Sequence, residues 1–119
     1  MKKILVIDDD EAITDIIRRC LSGRYEIVTE NSGAKALELI KASEFDLIIA
    51  DIIMPEVDGI GILAYMKKAR MTTPVLIMSG HPVGEQFFDA AILLGAVKAV
   101  EKPFTMKALM QAVEKILGQ

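Results

Sequence analysis

Short apolar runs alternate five times with segments of helical periodicity along this 119-residue chain. Runs of Ile, Leu and Val bounded by polar residues indicate strands buried on both faces of a parallel sheet. The predicted strands are Ile4–Ile7, Tyr25–Thr29, Leu47–Ala50, Val75–Met78 and Val97–Glu101. The alternation predicts right-handed βαβ units, and therefore an α/β fold whose five-stranded parallel sheet carries helices on both faces.

Apolar residues between these runs recur at the spacing of amphipathic helices. The first helical stripe comprises Ile13, Ile16, Ile17, Cys20 and Leu21, so Cys20 is predicted to be a core residue. The stripe of the fourth helix comprises Phe87, Ala90, Ala91 and Leu94. Ser32 and Thr105 precede the second and fifth helices, and we expect each to cap the helix that it precedes.

The polarity of the strands predicts their order. The runs that end at Asp8, Asp51 and Ser79 are wholly apolar, which favours the middle of the sheet. Glu26 in the second strand and Lys98 in the fifth favour the two edges. The order 2-1-3-4-5 satisfies both conditions, and it is one of the two common orders of doubly wound sheets.

In doubly wound sheets, functional groups gather at the carboxyl ends of the strands. The residues at these ends are Asp8 and Asp9, Asp51, Ser79 and Gly80, and Lys102. Carboxylates about 5 Å apart repel by about 3 kcal/mol per pair at an effective dielectric near 20, so a cluster of three indicates a cation site. Oxygen ligands without sulfur favour Mg²⁺, with Mn²⁺ as a substitute. A carboxylate can also attack phosphorus as a nucleophile.

Composition and charge narrow the possible functions. The chain is 52% hydrophobic with a net charge of -3, which is typical of one soluble globular domain over residues 1–119 and argues against direct nucleic-acid binding. No apolar run reaches the roughly 20 residues of a membrane span. Cys20 is the only cysteine and cannot form an internal disulfide. We therefore expect a cytoplasmic protein without membrane attachment.

Four segments together resemble the receiver domain of two-component response regulators. They are ILVIDDD, ADIIMPEVDG, VLIMSG and EKPF, and the resemblance covers essentially the whole chain in order. It implies a flavodoxin-like receiver fold and a signalling switch that catalyses only its own phosphorylation and dephosphorylation. A histidine kinase or a histidine phosphotransfer protein would supply the phosphoryl group. The face formed by the fourth helix, fifth strand and fifth helix would then change and be read by a partner.

The resemblance also implies a role for each residue that matches a family motif. In these roles Asp51 is the phosphoacceptor and a metal ligand, Asp9 a direct ligand of Mg²⁺, Asp8 an acid acting through water, Ile53 a ligand through its main-chain carbonyl, Ser79 the switch hydroxyl, Gly80 the small residue that leaves the phosphate room, and Lys102 the partner of the phosphoryl group. The Lys102–Pro103 peptide bond resembles the family's cis peptide bond.

The sequence departs from the family at Ala99, where a Tyr or Phe is usual. An aromatic ring there turns inward when the hydroxyl moves toward the phosphate, so Ala99 places the readout of the switch in doubt. Ile53 and His81 match positions that flank the phosphate and influence its lifetime. Ile53 is apolar and would not orient an attacking water, which predicts a comparatively long-lived phosphoryl group.

Two other classes of function compete with a signalling switch. Phosphatases of the haloacid dehalogenase type also use an acid pair after the first strand, but Asp10-Glu11-Ala12 lacks their β-branched residue, and no cap domain is evident. A phosphate-independent interaction module is favoured by Ala99 alone.

The chain is expected to be either a stand-alone receiver or a fragment of a longer regulator. Phe88 and Ile92 favour a weak phosphorylation-dependent homodimer, which sedimentation with and without beryllofluoride would test.

Overall fold

The structure is a computed structural model that describes residues 1–80 and 85–118; His81 therefore lies outside the described residues. Five strands alternate with five helices, as the hydrophobic pattern predicts. The elements are β1 (Lys3–Ile7), α1 (Glu11–Leu21), β2 (Glu26–Glu30), α2 (Gly33–Ala42), β3 (Leu47–Asp51), α3 (Gly59–Lys68), β4 (Val75–Ser79), α4 (Glu85–Leu93), β5 (Lys98–Glu101) and α5 (Met106–Leu117).

The five strands form one parallel sheet in the order β2-β1-β3-β4-β5, which confirms the predicted order. The three central strands are almost wholly buried, whereas β2 and β5 at the edges are partly exposed. In the register, Ile7 lies beside Ala50, and Asp51 lies beside Met78. The residues that follow β1 and β3 therefore leave the sheet side by side at its carboxyl edge.

Buried side chains cover both faces of the sheet, as a doubly wound fold requires. On one face, Ile40 of α2, Ile62 of α3 and Ala91 of α4 belong to one apolar cluster with inward residues of the strands. On the other face, Ile17 of α1 and Val113 of α5 belong to the second cluster. These two layers hold the central strands rigidly, and so they hold the loops at the carboxyl edge in place.

The predicted inward stripe of α1 is wrong at two positions. Cys20 is exposed and Ile16 is 46% exposed, while Thr14, Ile17 and Leu21 are buried. A helix turns by about 100° per residue, so residues 14, 17 and 21 share one side, and residues 16 and 20 lie on its flank. The apolar character of Ile16 and Cys20 widened the predicted stripe beyond the part of α1 that meets the sheet.

The predicted stripe of α4 is also too wide, because Ala91 is buried while Phe87 is 40% exposed. This helix connects β4 to the edge strand β5, so only a narrow side of it meets the core. Exposed apolar side chains continue along this part of the surface at Ile92, Leu93 and Val97.

Both predicted helix caps are confirmed, since Ser32 accepts a hydrogen bond from the Lys35 N–H and Thr105 accepts one from the Ala108 N–H.

Candidate functional site

Three carboxylates meet at the carboxyl edge of the sheet. Each of Asp8, Asp9 and Asp51 has one carboxylate oxygen that lies within 4.8 Å of the corresponding oxygens of the other two. Asp8 is fully buried and Asp51 is 8% exposed, whereas Asp9 faces solvent. The arrangement follows from the pairing of β1 with β3, which ends one residue before each buried acid.

Lys102 is the cation of this cluster. Its Nζ lies 2.6 Å from Asp8 Oδ2 and 3.3 Å from Asp51 Oδ2, so one ammonium bridges both buried acids. The backbone N–H of Lys102 donates to the carbonyl of Ser79 at 2.5 Å, which ties the end of β5 to the end of β4. The Lys102–Pro103 peptide bond is cis, as the resemblance implies.

Burial and charge shift the pKa values of this ion pair. Burial, together with the negative charge of Asp51, raises the pKa of Asp8 despite hydrogen bonds from Lys102 and the Asp10 N–H. Burial alone would lower the pKa of Lys102, but its pairing with Asp8 and Asp51 outweighs that effect and raises it. The first shift favours the neutral form of Asp8 and the second favours the charged form of Lys102, and the contact of 2.6 Å between their polar atoms has the length of a charge-assisted hydrogen bond. Ionised Asp8 is thus held at a cost that a bound cation would offset.

Ser79 and Gly80 follow the acids at the same edge. Ser79 is 1% exposed, and among the described residues its buried Oγ has no hydrogen-bond partner. An unpaired buried hydroxyl costs about 1–3 kcal/mol, which a ligand carrying acceptor oxygens would relieve. A Cβ added at Gly80 would lie 3.9 Å from Lys102 Cδ, so Gly80 stands directly beside the lysine stem. A cleft of about 540 Å³ opens here, lined in part by Gly80 and Lys102.

Two further positions singled out in the sequence are Ile53, which follows the carboxyl end of β3, and Ala99, which lies two residues before the carboxyl end of β5. Ile53 donates its backbone N–H to Asp51 Oδ1 at 3.4 Å, and its side chain is 46% exposed. Ala99 lies on β5 beside Ile77 of β4 and is half-buried. The structure thus brings together every described residue predicted for the site, but it pairs Lys102 with the two acids themselves.

One residue at the site was missed in the sequence. The Nδ2 of Asn31 donates to the main-chain carbonyl of Asp8 at 2.8 Å and lies 3.0 Å from Thr14 Oγ1. The strand order contained a usable signal, because β2 lies next to β1 and Asn31 follows directly after β2. A polar side chain at that point must lie near the acid pair.

The donor set fits a hard divalent cation. Three carboxylates supply oxygen ligands, and the backbone carbonyl of Ile53 follows one of them closely in the chain. Mg²⁺ prefers such oxygens and keeps several waters, for which the exposed Asp9 leaves access. The Lys102 ammonium contacts Asp51, and the Ser79 hydroxyl, which has no partner among the described residues, ends the neighbouring strand; both are groups that stabilise an anion.

Fold and site together define a doubly wound α/β domain with a cluster of three acids at the carboxyl edge of its sheet. The chain belongs to the response regulator receiver domain family, because the sequence model of that family matches residues 4–114. It is therefore similar to signalling modules of two-component systems. Among described residues, no helix combines the length and the apolar character needed to cross a membrane.

Relatives and solved structures agree with this family. The chain is 36% identical to the transcriptional regulatory protein ZraR of Escherichia coli K12, over 97% of this chain and 26% of ZraR. It is 30% identical to the alkaline phosphatase synthesis transcriptional regulatory protein PhoP of Bacillus subtilis, over 98% of this chain and 48% of PhoP. The receiver domain of the Francisella response regulator 1452 superposes with a TM-score of 0.90 at 29% identity, covering 99% of this chain and 98% of that one. The chain thus spans between a quarter and a half of these two curated relatives.

Proposed function

We propose that residues 1–119 act as one receiver domain in which Asp51 accepts a phosphoryl group from a histidine kinase or a histidine phosphotransfer protein. The observation that carries this proposal is the setting of the Asp51 carboxylate. It lies within 4.8 Å of two further acids, 3.3 Å from an ammonium, and at the same sheet edge as the buried Ser79 hydroxyl, for which no described residue is a hydrogen-bond partner. Such a setting suits an anion that carries more charge than a carboxylate.

The proposed reaction is an in-line transfer. One carboxylate oxygen of Asp51 attacks the phosphorus of an N-phosphohistidine, forming an O–P bond as the P–N bond breaks. The electron pair of the P–N bond returns to the imidazole nitrogen, which takes up a proton from solvent. Lys102 already contacts Asp51 Oδ2 and would follow the charge onto the phosphoryl oxygens. The hydroxyl of Ser79 would donate to one of these oxygens and so gain the partner that it lacks.

In this proposal the three acids also hold Mg²⁺, with Mn²⁺ as a substitute. Asp9 and Asp51 would be direct ligands, Asp8 would act through water, and the carbonyl of Ile53 would complete the protein ligands. When bound, the ion would neutralise charge on the phosphoryl oxygens during transfer. Gly80 would leave the phosphoryl group room beside Lys102, since no side chain occupies that position.

The proposed output is a change in the face formed by α4, β5 and α5. The phosphoryl group carries roughly 1.5 to 2 negative charges in place of the single charge of the Asp51 carboxylate, and this more negative group would draw Ser79 and Lys102 inward and bias the equilibrium of this face. Ala99 cannot supply the aromatic half of the switch, because it has no ring to turn. The exposed Ile92 and Leu93 of α4 offer apolar area to a downstream protein, to a further segment of a longer regulator, or to a second copy. We place these events in the cytoplasm, without contact to membrane or nucleic acid.

Calorimetric titration separates this proposal from a phosphate-independent interaction module. We expect wild-type protein to bind Mg²⁺, and then to bind beryllofluoride, a stable mimic of an acyl-linked phosphoryl group, only when Mg²⁺ is present. The reason is that the mimic needs both the cation and the ammonium to offset its charge. Absence of both binding events would instead favour the interaction module, for which Ala99 is the supporting observation.

The side chain of Ile53 is expected to lengthen the life of the phosphoryl group. It is apolar and 46% exposed, and it has no polar atom with which to orient an attacking water. We expect Ile53→Asn to speed the decay of the phosphoprotein by about tenfold, which is less than the roughly 100- to 10,000-fold that a positioned general acid or base contributes, because an amide orients the water without accepting its proton. The measurement is loss of the phosphorylated species with time after removal of the phosphodonor. Ile53→Val is the matched control and should decay as wild type does; equal decay of Ile53→Asn and wild type contradicts the expectation.

A further inference from the structure

Asn31 joins the turn that carries the acid pair to a buried hydroxyl of α1. Its Nδ2 donates to the carbonyl oxygen of Asp8 at 2.8 Å and to Thr14 Oγ1 at 3.0 Å. Thr14 is 2% exposed, and its hydroxyl donates in turn to the carbonyl of Glu11 at 3.1 Å. Each polar atom in this chain of contacts thus has a partner, which makes it a fixed support for the turn.

The carbonyl that Asn31 holds belongs to the peptide unit between Asp8 and Asp9. A peptide unit is planar, so its orientation sets the direction in which the side chains on both sides leave the backbone. On the other side of the turn, the Asp10 N–H donates to Asp8 Oδ1 at 2.9 Å. Asn31 therefore holds the peptide unit between the two acids, which the contacts of the Asp8 carboxylate do not hold directly.

The segment around Asn31 is itself held in place. The backbone N–H groups of Asn31 and Ser32 both donate to the Glu30 carboxylate, at 3.0 and 3.3 Å. A Cβ added at Gly33 would lie 1.7 Å from the carbonyl oxygen of Val57, so the start of α2 packs directly against the loop that follows β3. The segment 31–33 thus contacts the loop that carries the acid pair and the loop that carries Ile53.

We propose that Asn31, supported by Thr14, is a positioning residue that presets Asp8 and Asp9 for a divalent cation. The proposal rests on the metal site of the proposed function and adds a residue outside the ligand set. Hydrogen bonds behind the ligands orient them, and their loss typically weakens metal binding about 10- to 100-fold. Asn31 is exposed at the edge of the site, so we expect an effect near the lower figure.

The test is calorimetric titration of Mg²⁺ into wild type, Asn31→Ala, Thr14→Val and the double variant, at one pH and a temperature where each is folded. We expect Asn31→Ala to bind Mg²⁺ about tenfold more weakly than wild type. Thr14→Val should weaken binding in the same direction but less. The double variant should equal Asn31→Ala, since Thr14 acts through Asn31 and the two effects are not additive.

Ser32→Ala is the matched control for a merely structural role. Ser32 lies in the same segment and caps α2 through the Lys35 N–H, but among the described residues its side chain forms no hydrogen bond with the acid turn. Loss of the capping hydroxyl in Ser32→Ala should lower the thermal unfolding temperature measured without Mg²⁺. The Mg²⁺ affinity of this variant should stay within about twofold of wild type. Should Asn31→Ala fail to fold, the comparison of Thr14→Val with Ser32→Ala decides the question.

Two outcomes overturn the proposal and differ in what they imply. Equal Mg²⁺ affinity in Asn31→Ala and Ser32→Ala shows that Asn31 contributes only to the fold, while the metal site stands. Absence of Mg²⁺ binding by wild type overturns the metal site of the proposed function, and the role of Asn31 falls with it. Weakened binding confined to the Asn31 and Thr14 variants supports the proposal.

Discussion

Asp51→Asn is expected to abolish phosphorylation of this protein, lowering the rate by about three orders of magnitude or more, as loss of a nucleophile does in covalent catalysis. An amide at this position cannot attack phosphorus to form an acyl phosphate. The buried cluster also loses one of its two contacts between Lys102 and a carboxylate. The measurement is incorporation of phosphoryl groups from a labelled phosphodonor in the presence of Mg²⁺.

Asp10→Asn is the control for this substitution. Asp10 follows the acid pair directly, but its carboxylate caps α1 by accepting a hydrogen bond from the Ala12 N–H at 3.0 Å. Asn serves well at the same capping position, so the fold and the labelling should both persist. Labelling that survives in Asp51→Asn would show that another group accepts the phosphoryl, and loss of labelling in Asp10→Asn would show that the assay reports general damage.

Lys102→Met is expected to have opposite effects on cation binding and on phosphorylation. Without the ammonium, three carboxylates face one another with no counter-charge, and the metal-free protein should lose about 3 kcal/mol of stability. Mg²⁺ then binds to a more negative site that no other cation occupies, so its affinity should rise by about tenfold or more. The phosphorylation rate should fall by about 100- to 1000-fold, because a group that stabilises the transferring charge is gone.

Lys98→Met removes the same charge from β5, the strand that Lys102 directly follows, and is the matched control. Lys98 is exposed on β5, away from the acids, so its loss should change Mg²⁺ affinity by less than about twofold. Denaturant unfolding without Mg²⁺, Mg²⁺ titration and phosphorylation kinetics together measure the three expected changes. Weaker Mg²⁺ binding in Lys102→Met than in wild type would contradict competition between the ammonium and the cation.

The sequence predicted the sheet and the convergence at its edge because both depend on simple patterns. Charged residues on the second and fifth strands marked the edges, and the apolar runs that end at Asp8 and Asp51 marked two central neighbours. The carboxyl ends of parallel neighbours lie side by side whatever the packing details. The meeting of the acids with Ser79 and Lys102 follows from that geometry.

The errors and omissions concern features that depend on packing in three dimensions. Exposure of Cys20 and Ile16 depends on how α1 is rotated against the sheet, which an apolar residue on the flank does not reveal. The contact between Asn31 and Thr14 joins two elements through rotamers that the sequence does not specify. Pairing of Lys102 with Asp8 reflects a charge balance within the cluster, whereas the family resemblance assigned the lysine to a phosphoryl group.

The most direct test of the central claim is to locate the phosphoryl group after incubation with a phosphodonor and Mg²⁺. Intact-mass measurement followed by peptide mapping reports how many groups are added and where. We expect one phosphoryl group, attached to the peptide that contains Asp51, and we expect none when Mg²⁺ is removed by a chelator. A phosphoryl group on any other residue, or no incorporation under conditions in which Mg²⁺ binds, would contradict it.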